Sequence, residues 1–439
     1  MTTIASERPI AEPGSARTDR RALLAWAFYD WANSAFSALI LTFVFAAYFT
    51  QSVVGDSSLG TALWGNVTAA TGLVIAIAGP LIGALADQGG RRKPWVVMFT
   101  IVSVVATALL WFVRPQADDV ALALTLVAIG IVGAECAFIF YNAMLPDLAR
   151  EEEIGRWSGW GWGLGYAGGM SCLVIALFGF VDENAWFSLQ RAEAEHVRAT
   201  FVLTAAWFLV FALPMFFMTP DRGGQRITWR LALRNGVAQL RDSIKDVRRY
   251  APILRFFIAR MIYADGLATA FAFGGVYAAG TFGMSAQQVL LFGIALNVTA
   301  GLGAFGFAWM DDKVGSRATI LVSLAGLILG STAILIVETQ LSFWIAGMTL
   351  GIFVGPVQAA SRSWLSRTAP EELRTQMFGL FALSGKATAF LGPLLVGWVT
   401  VAADSQRVGM ATIVVFFVVG AALMLFVPEA ERSGSSSNA

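Results

Sequence analysis

Ionisable side chains occur inside segments that are otherwise apolar enough to cross a membrane. The stretch WAFYDWANSAF, residues 26–36, carries Asp30 and Asn33 within an apolar run over 22–50. At about 1.5 Å of helical rise per residue, Asp30 lies about 13 Å beyond Arg21, too deep for its short side chain to reach the surface. A charge near the bilayer centre costs at least about 2.5–3.5 kcal/mol, so it should face a bundle interior or a water-filled cavity. The other deep ionisable residues are Glu135, Arg260, Asp265 and Lys386.

Acids and bases inside one membrane bundle have two possible roles. In a structural role, Asp30, Glu135 and Asp265 are neutralised by Arg260 and Lys386 and fix the helix registry. In a functional role, a cation and an anion across a cavity hold the carboxylate and ammonium of an amino-acid-like solute, and a desolvated acid carries a proton. Three acids facing two bases leave one carboxylate unpaired, which favours the functional role for at least one of them. Glu135 is the main candidate, because it lies near the middle of its span with no base within a turn on its own helix.

Further polar residues accompany these groups on the same helical faces. Asn33 follows Asp30 by about one turn, and Asn142 follows Glu135 by about two turns. The complete candidate set for substrate binding and coupling is Asp30, Asn33, Glu135, Asn142, Arg260, Tyr263, Asp265, Gln358, Arg362 and Lys386.

The composition is that of a membrane protein. The 439 residues are 57% hydrophobic and 13% charged, with a mean hydropathy of +0.67, against about 45–50% apolar and about 25% charged residues in soluble proteins. The net charge of +1 excludes broad attraction to nucleic acid. Cys136 and Cys172 lie in apolar runs and are expected to be small core residues. One histidine and the lack of a nucleotide-binding loop argue against an enzyme, and we expect neither a metal nor a cofactor.

Apolar stretches of about 20 residues, the length that crosses a bilayer as a helix, can be placed twelve times. This predicts an all-α membrane protein. The predicted spans are 22–50, 61–86, 95–113, 119–145, 157–180, 199–218, 253–279, 286–310, 318–337, 341–365, 375–401 and 408–428.

The distribution of Lys and Arg sets the orientation. With both termini in the cytoplasm, most basic residues fall in cytoplasmic loops, and only Arg114, Arg191, Arg198 and Arg407 lie outside. The polar residues 1–21 lack the apolar centre of a signal peptide, so the first span is expected to direct insertion. We expect a multi-pass protein of the cell inner membrane.

The longest polar break separates the sixth span from the seventh, and its spacing predicts a basic amphipathic helix on the cytoplasmic membrane surface. The domain prediction is a cytoplasmic N-terminal tail (1–21), a six-helix half (22–218), the amphipathic linker (219–252), a second six-helix half (253–428) and a flexible C-terminal tail (429–439).

The two halves contain matching motifs in the same order. GALADQGGRRK (83–93) follows the second span, and AWMDDKVGSR (308–317) follows the eighth. A helix-end acid, a turn glycine and a basic run suit a gate between the halves, or the basic run only holds the topology. Residues after the fourth and tenth spans also match, with Glu151, Glu152 and Gly159 against Glu371, Glu372 and Gly379. The candidate gating residues are Gly83, Asp87, Gly90, Arg91, Arg92, Asp312, Gly315 and Arg317.

Two six-helix halves and GALADQGGRRK resemble the major facilitator superfamily. More specifically, YDWANSAF (29–36), ECAFIFYNAMLPDLA (135–149), YADG (263–266), QAASRSWLSR (358–367) and FGLFALSGKATAFLGPLLVG (378–397) are similar to its vacuole-effluxer branch, the autophagy-linked vacuolar amino-acid effluxers of fungi and their bacterial relatives. The resemblance implies twelve transmembrane helices in two pseudo-symmetric halves, alternating access, and a cavity lined by the first, fourth, seventh and tenth helices. It also suggests export of amino acids.

The sequence therefore predicts a secondary active transporter that moves a small polar, amino-acid-like solute by alternating access. Protons are the expected coupling ion, the lipid bilayer is its surroundings, and we expect a monomer. The alternatives are a proton-coupled transporter of peptides, sugars or drugs, or a membrane sensor or scaffold that transports nothing.

Overall fold

The structure, a computed structural model, describes residues 19–182, 184–221, 250–284 and 286–430. These ranges contain helices and no strand, and 11 of the helices are long and apolar enough to cross a membrane. The predicted all-α membrane fold is confirmed. Most of the predicted tails and of the amphipathic linker, residues 1–18, 222–249 and 431–439, lie outside the described ranges.

The first half of the bundle contains helices α1 to α6. α1 begins at Arg20 and extends as a regular α-helix to Ala35. The chain then continues to Val53 through two stretches of wider π-helical turns, Phe36–Phe43 and Phe49–Val53, with one α-helical turn, Phe45–Tyr48, between them. The other helices are α2 (Ser57–Gly89), α3 (Lys93–Leu109), α4 (Val120–Leu148), α5 (Ile154–Ala176) and α6 (Glu195–Met218).

The second half contains helices α7 to α12. They are α7 (Ala251–Phe282), α8 (Ala286–Val314), α9 (Ser316–Ile336), α10 (Gln340–Thr368), α11a (Arg374–Ser384), α11b (Leu391–Ala403) and α12 (Gln406–Met424).

The predicted continuous span 375–401 is wrong in one respect, because the helix is broken between Ser384 and Leu391. Gly385 closes α11a, and Pro393 lies in the first turn of α11b, where its missing N–H removes no helical hydrogen bond. Interruptions of this kind are tolerated in a membrane bundle where the freed backbone is buried in protein or lines a cavity. The break places Lys386 outside regular helix, beside the space between the halves.

Glycines bring α5 into close contact with α1. A side chain at Gly161 would collide with Oδ2 of Asp30, and one at Gly165 would collide with Oγ of Ser34. These small residues let the two backbones approach closely, as is typical of membrane helices. This close contact holds the side chain of Asp30, on α1, against the backbone of α5.

Each half has its own buried core. One hydrophobic cluster uses residues of α1 to α6, and a second is built mainly from α7 to α12. Cys136 and Cys172 are buried and unbonded, as expected of small core residues. The segments 90–92, 149–153 and 369–373 lie at one end of the bundle, which we call the basic end.

Candidate functional site

A cavity of about 1120 Å³ lies between the two halves. Its floor, the part nearest the basic end, is formed by residues such as Asp30, Asn142 and Gln358. Its lining reaches Phe43, Tyr277 and the neighbouring aromatic residues toward the opposite end. The volume lies slightly above the range of about 300–1,000 Å³ that is usual for small-molecule sites.

Seven of the ten candidate substrate and coupling residues line this cavity, and three do not. The three that lie behind the lining are Tyr263, Asp265 and Arg362, each at most 1% exposed. The seven lining residues are Asp30, Asn33, Glu135, Asn142, Arg260, Gln358 and Lys386.

Glu135 and Lys386 form an ion pair that crosses from one half to the other. The Nζ atom of Lys386 lies 2.7 Å from Oε1 of Glu135, and the side chains are 29% and 28% exposed. Lys386 reaches this position because it lies in the break between α11a and α11b. Both charges therefore contact the cavity as well as each other.

Arg260 binds the end of α11a rather than an acid. Its Nη1 donates to the carbonyl oxygen of Phe381 and to Oγ of Ser384, each at 2.7 Å, and its guanidinium lies 3.5 Å from the centre of the Phe381 ring. A cation at a helix C-terminus is favourable, because the last carbonyl groups carry partial negative charge. Arg260 thus holds α11a in place while it faces the cavity.

Asp265 is bound at the start of α11b. Both of its carboxylate oxygens accept from the backbone N–H of Gly392 at 3.3 Å, where the N-terminal dipole favours an anion. Among the described residues, no cation lies within ion-pair distance of Asp265. Helix α7 therefore supplies a cation to the end of α11a and an anion to the start of α11b.

Arg362 is a third base inside the bundle, and its burial corrects the sequence-based count of three acids and two bases. Its Nη1 lies 3.0 Å from Oδ2 of Asp30 and 3.2 Å from Oδ1 of Asn142. Its Nε and Nη2 donate to the hydroxyl and carbonyl oxygens of Ser158 at 2.9 and 2.6 Å. The sequence placed Arg362 near the end of a span, whereas the bundle buries it among three helices of the other half.

Three aromatic rings from outside the candidate set complete the surroundings of Arg362. Its guanidinium lies 5.0 Å from the ring centre of Trp26 and 5.8 Å from those of Tyr141 and Trp162, within the range of cation–π attraction. The Tyr141 hydroxyl donates to Oδ2 of Asp30 at 2.8 Å. Tyr141 lies in the motif ECAFIFYNAM, one residue before Asn142, so its position was available from the sequence although its role was not.

The first gating motif binds the opposite half at the basic end. The carboxylate of Asp87 accepts from the backbone N–H of Thr375 and of Gln376 at 3.2 and 2.9 Å, and from the Thr375 hydroxyl at 2.6 Å. Arg92 donates to the same hydroxyl at 2.7 Å and forms ion pairs with Asp87 and Asp147. Asp87 is thus an anion at the start of α11a, across the seam between the halves.

The second motif repeats this arrangement in part. Asp312 accepts from the backbone N–H of Arg156, at the start of α5, at 3.1 Å and pairs with Arg367 at 3.0 Å. Gly90 and Gly315 both have the left-handed backbone that glycine favours, with φ of +72° and +113°. Two of the candidate gating residues lie away from the seam. Arg91 pairs with Asp221, and Arg317 donates to the carbonyl oxygens of Met424 and Leu425.

The Asp87 contacts predict a change in conformation. Asp87→Asn replaces the carboxylate with a neutral amide and so removes the negative charge that the N-terminus of α11a and Arg92 stabilise. We therefore expect the basic end to open while expression persists. Labelling of engineered cysteines at the two ends measures this. Unchanged labelling would contradict the gating role and leave only the role in topology.

Close backbone contacts join the halves on the basic side of the cavity. A Cβ atom at Gly83 would lie 2.7 Å from the Thr375 carbonyl oxygen, and one at Gly159 would lie 2.6 Å from that of Ala304. These contacts lie at matching places in the internal repeat, between α2 and α11a and between α5 and α8. The structure is therefore closed at the basic end, with the cavity beyond the closure.

Gly83→Ala tests this closure with one methyl group. The new Cβ would meet main-chain atoms that cannot rotate away, so we expect a smaller population of the closed state, seen as higher labelling at the basic end. Gly72→Ala on the same helix is the control, because a Cβ there meets nothing within 4 Å. Equal labelling of the two variants would contradict the close packing of α2 on α11a.

The model of the family described as "Vacuole effluxer Atg22 like" matches residues 66–435. The chain belongs to this Atg22-like family. The predicted resemblance to the vacuole-effluxer branch is thereby confirmed.

Individual relatives agree with this assignment. The uncharacterized MFS-type transporter YxiO of Bacillus subtilis (strain 168) is 27% identical over 414 residues, covering 92% of this chain and 94% of the relative. Autophagy-related protein 22 of Kluyveromyces lactis is 23% identical over 366 residues, covering 75% of this chain and 71% of the relative. This Atg22-like protein is a multi-pass membrane transporter of the major facilitator superfamily.

Solved structures share the fold. The major facilitator transporter FucP in its outward conformation superimposes with a TM-score of 0.72 at 16% identity, covering 93% of this chain and 99% of FucP. The proton:xylose symporter XylE superimposes with a TM-score of 0.70 at 16% identity, covering 94% and 96%. At these identities the likeness establishes the architecture and not the solute.

Proposed function

We propose that this Atg22-like protein is a secondary transporter of a small, amino-acid-like zwitterion. The observation that carries the proposal is the Glu135–Lys386 pair. It places one anion and one cation on opposite halves, 2.7 Å apart, with both side chains partly exposed to the central cavity. A solute that carries an ammonium and a carboxylate matches both charges.

The exchange of this pair for a solute is energetically reasonable. A fully buried ion pair loses much of its Coulomb energy to desolvation, whereas the two side chains of this pair are 29% and 28% exposed and both line the cavity. The solute ammonium replaces Lys386 at Glu135, and the solute carboxylate replaces Glu135 at Lys386. Arg260 lines the same wall and adds positive charge on the carboxylate side.

Alternating access follows from the two ends of the bundle. The closed basic end is held by Asp87, Arg92, Asp312 and the glycine contacts between the halves. The cavity lies beyond this closure and extends toward the opposite end. We propose that these contacts break when the solute-bound halves rock about the cavity, which then opens at the basic end.

The orientation, coupling and assembly complete the proposal. The concentration of Lys and Arg at the basic end supports a cytoplasmic location for that end and for both termini, in the cell inner membrane. Buried carboxylates support coupling to protons. One chain forms the cavity between its own halves, which supports a monomer as the working unit. The two halves divide at the predicted linker, 219–252.

The thermal stability of the purified protein tests the solute class. A ligand that binds only the folded state raises the unfolding temperature, so an amino acid should stabilise the protein, whereas its decarboxylated amine and its deaminated acid should not. Lys386→Gln should lose this response, and Lys313→Gln, on an exposed lysine at the end of α8, should keep it. Stabilisation by a sugar, a peptide or a cationic drug, with none by amino acids, would overturn the proposal.

A further inference from the structure

Helix α10 inserts polar side chains of the second half into the first half. In the segment QAASRSWLSR (358–367), the amide of Gln358 donates to the Tyr166 hydroxyl at 3.1 Å, and Nε of Arg367 donates to the carbonyl oxygen of Glu151 at 3.4 Å. Arg362 lies between them and reaches Asp30, Asn142 and Ser158. The whole segment crosses the seam between the cavity floor and the basic end.

Arg362 is the most deeply enclosed of these groups. It is 1% exposed, and the hydrogen-bond acceptors of its guanidinium lie on α1, α4 and α5 of the other half. The halves cannot separate at the basic end unless this guanidinium leaves its acceptors. Arg362 is therefore a latch, a side chain of one half whose release from the other half must accompany opening.

Asp30 connects this latch to the cavity. Its carboxylate pairs with Arg362 and also lines the cavity floor, whereas Arg362 does not reach the cavity. A proton donor in the cavity, such as water or hydronium, can approach Asp30 without disturbing Arg362. Within the described part of the chain, Asp30 is the one acceptor of Arg362 that carries a charge.

We propose that a proton arriving through the cavity binds Asp30, neutralises the charged partner that Arg362 has among the described residues and releases the latch, so that the basic end opens. This inference rests on the proposed function and adds the site and the mechanism of its coupling. The proton is transferred from cavity water to a carboxylate oxygen of Asp30. It leaves to water at the basic end after opening, and the carboxylate then recaptures Arg362.

The charged and titratable groups around Asp30 fit this assignment. Tyr141 on α4 donates its hydroxyl to the carboxylate, and Arg362 on α10 supplies the cation. On α1 itself, Tyr29 is engaged with Thr100 at 2.6 Å, and Tyr166 on α5 accepts from Gln358. Glu135 lies one to two turns along α4 from Tyr141 and Asn142 and has its own partner, Lys386.

Glu135 is the less suitable group for this step, although the sequence favours it for coupling. Neutralising Glu135 frees Lys386, which is 29% exposed and can be solvated by the cavity without moving a helix. Neutralising Asp30 instead leaves a cation that is sealed from water unless the halves separate. The structure thus divides the tasks, with solute binding at Glu135 and the release of the latch at Asp30.

Distances between spin labels measure the opening. Labels at Glu152→Cys and Glu372→Cys report the basic end, and labels at Gln51→Cys and Glu338→Cys report the opposite end; all four positions are exposed. Cys136 and Cys172 are replaced by alanine in both labelled proteins, the one with the pair of labels at the basic end and the one with the pair at the opposite end. We expect acidification to lengthen the distance at the basic end and shorten the one at the opposite end.

Variants of the two carboxylates then assign the proton. Asp30→Asn should hold the basic end open at all pH values, and Glu135→Gln should keep the pH-dependent change. The reverse result, a flat pH profile in Glu135→Gln and a normal one in Asp30→Asn, would overturn the inference. A pH-independent distance in the wild-type protein would overturn it as well.

Tyr141→Phe keeps the test valid if Asp30→Asn does not fold. It removes one hydrogen-bond donor to the charged carboxylate and preserves the ring, so opening should occur at a higher pH than in the wild-type protein. An unchanged midpoint would contradict the role of Asp30. If the pH-dependent distances contradict the role of Asp30 but an amino acid still stabilises the wild-type protein, the proposed function stands and only this inference falls. If an amino acid does not stabilise the wild-type protein, the proposed function itself is contradicted.

Discussion

Uptake of an amino acid into proteoliposomes is expected to fall by at least about thirtyfold in Glu135→Gln. Truncating one partner of a close charge pair costs about 2–5 kcal/mol, and Glu135 is the anion that we assign to the solute ammonium. Glutamine preserves the size of the side chain and one hydrogen-bond acceptor, so the protein should fold normally. The measurement is the initial uptake rate, with the unfolding temperature of the same sample as the check on folding.

A matched variant separates this effect from a general loss of charge. Glu338→Gln replaces an exposed glutamate near the opposite end, outside the cavity lining, and should transport at the wild-type rate. If Glu135→Gln also transports at that rate with the same pH dependence, the ion pair does not bind the solute, and the cavity charges have a structural role only.

Arg362→Gln is expected to give the largest fall in stability among single substitutions at or directly behind the cavity floor. Removing one partner of a buried ion pair costs about 3–5 kcal/mol, because the remaining charge is left without compensation. The variant leaves the carboxylate of Asp30 buried, at 4% exposure, with Tyr141 as its remaining hydrogen-bond donor among the described residues. Denaturant unfolding of purified protein in detergent measures the loss.

The double variant Asp30→Asn with Arg362→Gln is the control for this prediction. It removes both charges, so we expect it to recover part of the stability that Arg362→Gln loses, as a double-mutant cycle reveals for residues in contact. Strict additivity of the two single substitutions would contradict an energetic coupling between Asp30 and Arg362.

The sequence predicted depth along the helices better than it predicted partners. Apolar length and the cost of a buried charge identified Asp30 and Glu135 as cavity residues, and both line the cavity. Helical spacing does not reveal which helix faces which, so the pairs Asp30–Arg362 and Glu135–Lys386 emerged only from the packing. The three-to-two count of acids and bases was wrong for this reason, since Arg362 is buried by three helices far away in the sequence.

Where the two halves carry the same residues, the internal repeat corresponds to matching contacts between the halves, and the gating role of these contacts stays a prediction. Asp87 and Asp312 both bind the start of a helix from the opposite half. Arg92 and Arg317 differ in their contacts. Arg92 pairs with Asp147, whereas the position equivalent to Asp147 in the second half holds Arg367, which pairs with Asp312. A second arginine in that place would face a like charge, and Arg317 instead binds the end of α12.

The broken helix shows why a hydropathy pattern is insufficient at functional sites. The run 375–401 is apolar enough to read as one span, although Gly385 and the Gly392–Pro393 pair are residue types that often interrupt a helix. The break is maintained by Arg260 and Asp265 on α7, whose contacts depend on the packed bundle. The sequence therefore contained the signals for a break, and the tertiary structure decided that Lys386 turns toward Glu135.

Counterflow in proteoliposomes tests the central claim most directly. Vesicles that contain the wild-type protein are loaded with an unlabelled amino acid and placed in a trace of the same amino acid carrying a radiolabel. Alternating access with a zwitterion site predicts transient accumulation of label inside, which the decarboxylated amine and the deaminated acid do not support. Label that never accumulates with any amino acid, while a sugar, a peptide or a cationic drug gives counterflow in the same vesicles, would contradict the account.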